Sequence, residues 1–496
     1  MRRFVLIVVA AAAAAVVMTR ADAAELPVFP RAGLVVQDAP LRGAPRDTAS
    51  LQAQMARGEA LEIRAERGDH WQVWDYRRER GGWLRKGQVL LVPRGDGAAT
   101  ELLSQLRLAR QQWGTEGLGL GLAAAYVQAA TPADMAGPGG AEALDAMGTF
   151  AERIAERAST RDARPTEGQL AAQMDVAARF GLKFESFDVE EGRVQVCYDG
   201  EVFRRLLATA ATPEQRVRAA LALTRPDCLN PRATVREQEA RDQWRRQVLA
   251  QVDGAALPVH WRNRLLMRRA SVSASLAFAQ ARRSPVGAGG EAAPALVELA
   301  GIVPAELTED DQPAYNDAVM RVNAARWLGT VNTARDFGSV SLTLQPGADG
   351  ERCVVLAEAG KPVARRCSWG QVALASASLN REGRALALAV QPLDGWRELW
   401  LFLKEPGRNG AWRIEVMPPA PAQPGLGVAE FAGWVPGGQQ LLVAREFRAE
   451  GRYRRSFEVV SLANLATERQ SPEPALLGAF QRWSDPAWRG GSPIRR

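Results

Sequence analysis

The stretch GEALEIRAERGDHWQVWDYRRERGGWL, residues 58–84, alternates apolar and polar side chains between closely spaced glycines. Alternation with a period of two is typical of short strands that bury one face, and the glycines mark the turns between them. The predicted strands are Leu34-Val35-Val36, Ala60-Leu61-Glu62-Ile63, Trp71-Gln72-Val73-Trp74 and Gly82-Trp83-Leu84. The pattern therefore predicts a small β-barrel over residues 30–94.

Four short motifs follow one another in this region. They are Leu41-Arg42-Gly43-Ala44-Pro45, Gly58-Glu59-Ala60-Leu61, Gly68-Asp69-His70-Trp71-Gln72-Val73 and Gly82-Trp83-Leu84. Together they resemble the bacterial SH3-like domain, in which Val is usual at the position of Leu84. The resemblance implies a module that attaches exported proteins to a cell-wall component or a peptide. We expect Trp71, Trp74 and Trp83 to contact that ligand, and the alternative is that such residues only build the barrel.

The first residues have the layout of a secretory signal peptide. Arg2 and Arg3 precede an uncharged apolar run over residues 4–18, and Ala21-Asp22-Ala23 offers a cleavage site. The run is shorter than the ~20 residues of a membrane-spanning helix, so a permanent anchor is the less favoured alternative. We expect cleavage after Ala23, no transmembrane span in the mature chain, and a periplasmic or secreted protein.

Composition narrows the class of protein. The chain has 496 residues, of which 47 % are hydrophobic and 24 % charged, and this excludes wholesale disorder and a multi-span membrane protein. The formal net charge is +7, from 63 basic and 56 acidic residues. In an exported protein this charge favours anionic envelope surfaces over nucleic acid as partners.

Four cysteines in an exported chain indicate disulfides. Cys353 and Cys367 lie at equal distances from Gly360, so a three-residue hairpin loop at 359–361 would place them opposite each other on adjacent strands. Cys197 and Cys228 then pair with each other by elimination.

The sequence offers little catalytic chemistry. It has two histidines, His70 and His260, and nothing ties either of them to a cysteine, so a catalytic thiol is less favoured than disulfides. The motifs of zinc proteases, serine hydrolases and P-loop proteins are absent from the sequence. We expect no metal and no cofactor, whereas a pair of catalytic carboxylates stays open because the 56 acidic residues give no spacing signal.

Residues 97–283 carry helical patterns. Leu102, Leu106 and Ala109 recur at helical spacing, and Thr212-Pro213-Glu214-Gln215 is a capping box that predicts a helix from Pro213. The Gly- and Pro-rich segment 284–294 predicts a linker.

Strand patterns return after residue 337. Residues 380–386 and 435–441 share a turn followed by a strand, offset by 55. Over residues 370–465 this weakly resembles the WD40-like propeller repeats of envelope proteins, in which Pro-Asp-Gly precedes a strand. Two or three such units are too few for a closed ring of four to eight blades. An open sandwich, or a few stacked blade-like sheets, is therefore as well supported as a propeller.

The sequence thus predicts a multidomain α+β protein. The predicted order is a signal peptide over 1–23, an SH3-like barrel over 30–94, a mainly helical domain over 97–283, a linker with a connecting helix over 284–336, a β-rich blade-like domain over 337–470 and a tail over 471–496. We expect a non-enzymatic envelope protein that binds peptidoglycan or a peptide through the barrel and an envelope protein through the β-rich domain. The alternatives are a carboxylate-dependent hydrolase of wall or polysaccharide material and a structural subunit of an envelope complex.

Overall fold

The computed structural model describes residues 28–160, 167–190, 193–284, 288–328, 330, 332–405, 407, 410–421, 425–449 and 451–485. The predicted signal peptide and the end of the predicted tail lie outside the described residues. The chain is a mixed α+β protein and divides into two compact units, Met1–Pro93 and Arg94–Arg496.

The N-terminal unit is built on one antiparallel sheet with strand order β3-β2-β6-β5-β4-β1-β7. Within residues 28–93 its strands are β1 Arg31–Val35, β2 Ala39–Arg42, β3 Leu51–Met55, β4 Ala60–Arg67, β5 His70–Asp75, β6 Arg80–Arg85 and β7 Val89–Leu91. One face of each strand is apolar, and these faces meet in a core that includes Leu41, Ile63, Val73 and Leu84. A Cβ on Gly82 would lie 2.6 Å from the Leu41 side chain, so this position between β2 and β6 requires glycine.

The second unit begins with helices and one hairpin. Its described helices are α1 Ala98–Arg110, α2 Glu116–Ala129, α3 Pro132–Ala136, α4 Pro138–Ser159, α5 Glu167–Arg179, α6 Glu201–Leu207, α7 Pro213–Leu223, α8 Val235–Ala250, α9 Val259–Arg283, α10 Ala288–Ala300, α11 Gln312–Ala325 and, near the end of the chain, α12 Gly478–Trp483. The hairpin joins β8 Phe184–Glu190 and β9 Arg193–Tyr198. The predicted capping box is present, since Thr212 accepts from the backbone N–H of Gln215 at the start of α7.

The predicted linker differs from the structure. From Ala288 onward the segment is helical and forms α10, with Pro294 inside the helix. Ala292, Ala295 and Leu299 recur three and four residues apart and are buried against α9 and α11. Burial of this apolar stripe outweighs the helix-breaking tendency of the neighbouring glycines and proline.

Three four-stranded antiparallel meanders follow among the described residues. The first contains β10 Ala334–Asp336, β11 Val340–Pro346, β12 Arg352–Glu358 and β13 Lys361–Ser368. The second contains β14 Gln371–Leu379, β15 Ala385–Leu393, β16 Trp396–Lys404 and β17 Trp412–Met417. The third contains β18 Leu426–Val435, β19 Gln440–Ala449, β20 Arg452–Ser461 and β21 Thr467–Ser471.

The second and third meanders repeat the same layout. Their strands begin at residues 371, 385, 396 and 412 and at 426, 440, 452 and 467, so each lies 55 or 56 residues after its counterpart. The first turns of the two meanders touch, because Glu382 accepts a hydrogen bond from the Gly437 N–H at 3.2 Å. The predicted repeat is therefore present in the fold, whereas the first meander has no constant offset to the second.

The meanders are stacked through apolar faces. Leu342 and Leu356 of the first meander share a core with Leu388 and Phe402 of the second. The opposite face of the second meander packs on the third. The residues of this shared core include Ala387, Leu399, Leu401, Ala429, Leu441 and Val443. The outer face of the third meander is covered in part by α12. The second and third meanders also join into one eight-stranded sheet, because Trp396 and Arg397 of β16 pair in parallel with Gly427 and Val428 of β18. The β-rich region therefore consists of three meanders whose apolar faces pack on one another.

Both predicted disulfides are present. Cys197 in β9 is bonded to Cys228, and Cys353 in β12 is bonded to Cys367 in β13. The β12–β13 turn has two residues, Ala359 and Gly360, instead of the predicted three, because Lys361 already pairs with Glu358. Two disulfides are compatible with an extracytoplasmic protein. None of the helices in the described part of the chain is long and apolar enough to cross a membrane.

Candidate functional site

The candidate site lies on the outer face of the N-terminal sheet, where β2, β6 and β5 run side by side. Successive side chains of a strand point to opposite faces. Leu41, Val73 and Leu84 therefore enter the core, while their sequence neighbours project outward. In the register, Arg42 of β2 lies opposite Trp83 of β6.

The three predicted tryptophans do not share one surface. Trp71 points inward, is 6 % exposed and packs edge-on against Phe29, with ring centroids 6.0 Å apart. Trp74 and Trp83 both project outward and are half-buried. The structure thus makes Trp71 a core residue and leaves Trp74 and Trp83 as surface aromatics.

Trp74 and Trp83 have different surroundings. The Arg64 guanidinium lies 4.4 Å from the centre of the Trp74 ring, and Glu62 bonds both Arg64 and Tyr76 beside it. Trp83 instead forms the wall of an open groove of about 160 Å³. The groove is lined by Pro40, Arg42, Asp47, His70, Trp83, Arg85 and Gln88. Only Trp83 of the three predicted tryptophans is therefore placed to meet a ligand in this groove.

Arg85 and Asp47 form the polar rim of the groove. The Arg85 Nε donates to Asp47 Oδ1 at 2.8 Å, and its Nη2 donates to Oδ2. These two hydrogen bonds hold the pKa of Asp47 below its ordinary value. The His70 Nε2 lies 3.9 Å from the same carboxylate. Because Asp47 is one carboxylate facing two arginines, Arg42 and Arg85, the groove keeps an excess of positive charge.

The groove combines an aromatic wall with guanidinium groups. An aromatic wall supplies apolar contact area, and guanidinium groups supply directed hydrogen bonds to carboxylates. Arg42 donates one of its hydrogen bonds to the Ala49 carbonyl at 3.1 Å, which fixes its position at the groove. The geometry therefore fits a ligand with an apolar part and a carboxylate.

The described residues give less support to a metal site or to acid catalysis. The grouping that offers metal-ligand atoms, Glu351 with Cys353 and Cys367, has both sulfurs in a disulfide. Burial raises the pKa of four described carboxyl groups, Glu152, Asp242, Glu298 and Asp317. None of these four belongs to the N-terminal unit.

Sequence reasoning did not select Arg42, Asp47, His70 or Arg85 as site residues. Three of them could be found from the strand register, because pairing the strands places Arg42, His70 and Arg85 on the same outward face as Trp83. The pairing itself, and not the motif, brings them together.

Comparisons of the chain with protein-family models, with curated proteins and with solved structures give no match.

Proposed function

We propose that this protein is an exported, non-enzymatic envelope protein that binds a cell-wall component through the groove at Trp83. The observation that carries the proposal is the open groove of about 160 Å³, in which a half-buried tryptophan stands beside two arginines. The two disulfides and the apolar leader of the sequence support export.

The ligand we propose is a peptide of the wall that carries a free carboxylate. Such a peptide offers methyl and methylene groups for the Trp83 ring and a carboxylate for Arg42 and Arg85. The resemblance of residues 30–94 to the bacterial SH3-like domain points to the same class of ligand.

The stacked meanders supply the surface for a second partner, an envelope protein, in this proposal. β13 is an edge strand whose outer side chains are mostly exposed, and Trp369 directly after it is 61 % exposed. Exposed edge strands and isolated large aromatics are features on which protein partners dock.

Sedimentation of the full mature chain with isolated peptidoglycan tests the proposed ligand. We expect the wild-type chain to co-sediment and Trp83→Ala to bind about tenfold more weakly, a loss of ~1.4 kcal/mol. Trp74→Ala is the matched control, because Trp74 lies on the same face but outside the groove.

Thermal unfolding of both variants establishes that the sheet is intact. Failure of the wild-type chain to co-sediment would remove the wall as ligand, and equal losses in Trp83→Ala and Trp74→Ala would remove the groove as its site. Release of soluble fragments from the wall by the wild-type chain would replace binding with hydrolysis.

A further inference from the structure

A second surface of the chain combines an exposed tryptophan with arginines, in the helical part of the second unit. Trp113, in the turn between α1 and α2, is 72 % exposed. The guanidinium of Arg153 from α4 lies 4.8 Å from the centre of its ring. The Arg153 Nη1 also donates to the Arg110 carbonyl at 3.1 Å, which anchors the arginine against the end of α1. The arrangement holds an aromatic face and a cation next to each other at the surface.

The charge of Arg153 is incompletely neutralised. It forms no ion pair with any residue that the structure describes, whereas the adjacent Arg157 is bonded to the buried Glu116 at 2.9 Å. Burial lowers the pKa of Arg153, and the nearby Arg110 and Arg157 lower it further, against the opposing effect of Glu116 and Glu156. An added anion at this position would therefore be favoured.

The cationic surface continues across α4 to α9. Asp145 is buried, and one of its oxygens accepts from both Arg110, at 2.6 Å, and Arg218 of α7. One carboxylate thus serves two guanidinium groups, and a positive charge remains. The Arg218 guanidinium in turn lies 5.6 Å from the ring centre of the half-buried Trp261.

These pairwise contacts connect five side chains, which we call the Arg–Trp strip: Trp113, Arg153, Arg110, Arg218 and Trp261. At one end of the strip Arg264, which lies 5.2 Å from the centre of the Trp261 ring, is neutralised by Asp311. The excess of positive charge is therefore concentrated between the two tryptophans.

We infer that the Arg–Trp strip binds an anionic glycan, with sugar rings against Trp113 and Trp261 and acidic groups on the arginines between them. Flat tryptophan faces offer contact area for the C–H faces of sugar rings, and guanidinium groups match carboxylates geometrically. A neutral glycan would bring no anionic group to Arg153, and a polyanion without rings would leave Trp113 exposed. The strip lies in the second unit, so this inference is independent of the groove at Trp83.

Affinity electrophoresis of the full mature chain tests the inference with three soluble polymers. Polygalacturonate carries rings and carboxylates, polyglutamate carries carboxylates without sugar rings, and dextran carries rings without charge. We expect polygalacturonate to retard the chain most, and we expect Trp113→Ala and Arg153→Gln each to weaken this binding about tenfold.

Two variants serve as matched controls. Trp483→Ala removes another exposed tryptophan, and Arg469→Gln removes one positive charge from an exposed strand position. Both should leave the dissociation constant for polygalacturonate within about twofold of the wild type. Thermal unfolding of all four variants checks that each is folded.

Three results would overturn the inference. If Arg469→Gln weakens binding as much as Arg153→Gln, the attraction is due to net charge alone. If polyglutamate retards the chain as strongly as polygalacturonate and Trp113→Ala has no effect, sugar rings are not recognised. If dextran retards the chain equally, the arginines have no part in recognition. Since none of these variants touches the groove at Trp83, they do not decide the proposed wall binding.

Discussion

The second and third meanders share one strand layout but differ in how their faces are closed. The second packs between the first and third meanders and, apart from the buried Arg397 of β16, presents apolar side chains on both faces, with Leu388 turned to the first meander and Leu401 to the third. The third has a neighbouring sheet on one face only. On its other face, beside the apolar contacts with α12, the charged side chains Glu430 and Glu446 are buried. Position in the stack, and not the strand pattern, thus decides which side chains a meander carries.

Buried ions connect the second and third meanders to α11. Arg397 of β16 is 1 % exposed and donates to Glu430 and to the Asn323 carbonyl in α11. Arg326 also lies 3.4 Å from the Glu430 carboxylate. Charges removed from water are stable only while their partners remain, so the contacts of both meanders with α11 depend on specific ion pairs, whereas the contact at Leu401 depends on apolar area.

Removing Glu430 should have the largest effect on stability. Glu430→Ala leaves the buried Arg397 without its carboxylate, and we expect the free energy of unfolding to fall by about 3–5 kcal/mol. The double variant Glu430→Met with Arg397→Met should recover most of this loss, because apolar replacement of both partners avoids an unpaired buried charge. Denaturant unfolding of the full chain measures both.

A surface pair is the control for this prediction. Arg413 and Glu415 form a partly exposed pair on β17, and Arg413→Ala should cost less than about 1 kcal/mol. If Glu430→Ala costs no more than this control, the ions do not hold the third meander to α11.

Truncation in the second meander should cost slightly less and should not depend on charge. Leu401 is fully buried between the second and third meanders, and Leu401→Ala should lose about 2–5 kcal/mol through lost burial and the cavity left behind. Leu401→Met keeps the volume and should cost less than about 1.5 kcal/mol in the same unfolding experiment. Equal losses in the two variants would show that packing does not decide the stability of this face.

The first meander is stabilised in a third way, by the disulfide between Cys353 and Cys367 on its outer face. Cys353 is fully buried, and Arg365 donates to its sulfur at 3.1 Å. Loop-closure entropy predicts that replacing both cysteines by alanine lowers the free energy of unfolding by about 3 kcal/mol. A loss below about 1 kcal/mol in denaturant unfolding would mean that the strand pairing holds the hairpin without the bridge.

The sequence predicts the local features of this fold and misses those that depend on distant partners. The 55-residue repeat and the Cys353–Cys367 pairing are readable because turn signals and hairpin spacing are local. Arg397 has no such signal, because its burial depends on Asn323 and Glu430, which are far from it in the chain. The linker predicted at Ala288 is wrong for a related reason. Its glycines and proline are visible in the local sequence, whereas its packing against α9 involves residues far away in the chain.

The candidate site shows the same division. The aromatic character of β5 and β6 is clear from the sequence, but alternation alone does not say whether Trp71 or Trp74 faces the core. The pairing of Trp71 with Leu84 on the apolar face decides it, and it places Trp83 on the outside beside Arg42. Predicting the groove therefore requires the strand register, whereas the tryptophans can be identified from the sequence alone.

The smallest predicted effect concerns the pH dependence of the contact between α11 and the third meander. Arg448 of β19 donates to Asp317 of α11. Burial raises the pKa of Asp317 above 3.8, although Arg448 and Arg321 oppose the shift. Between 3.8 and the raised pKa, the folded chain binds this proton more tightly than the unfolded chain, so the contribution of Asp317 to stability falls as the pH rises. Asp317→Asn should remove that fall, and the stability difference between variant and wild type should change across this window in denaturant unfolding. If the two stability profiles run parallel through it, burial of Asp317 has no energetic consequence, and this contact behaves like an exposed pair.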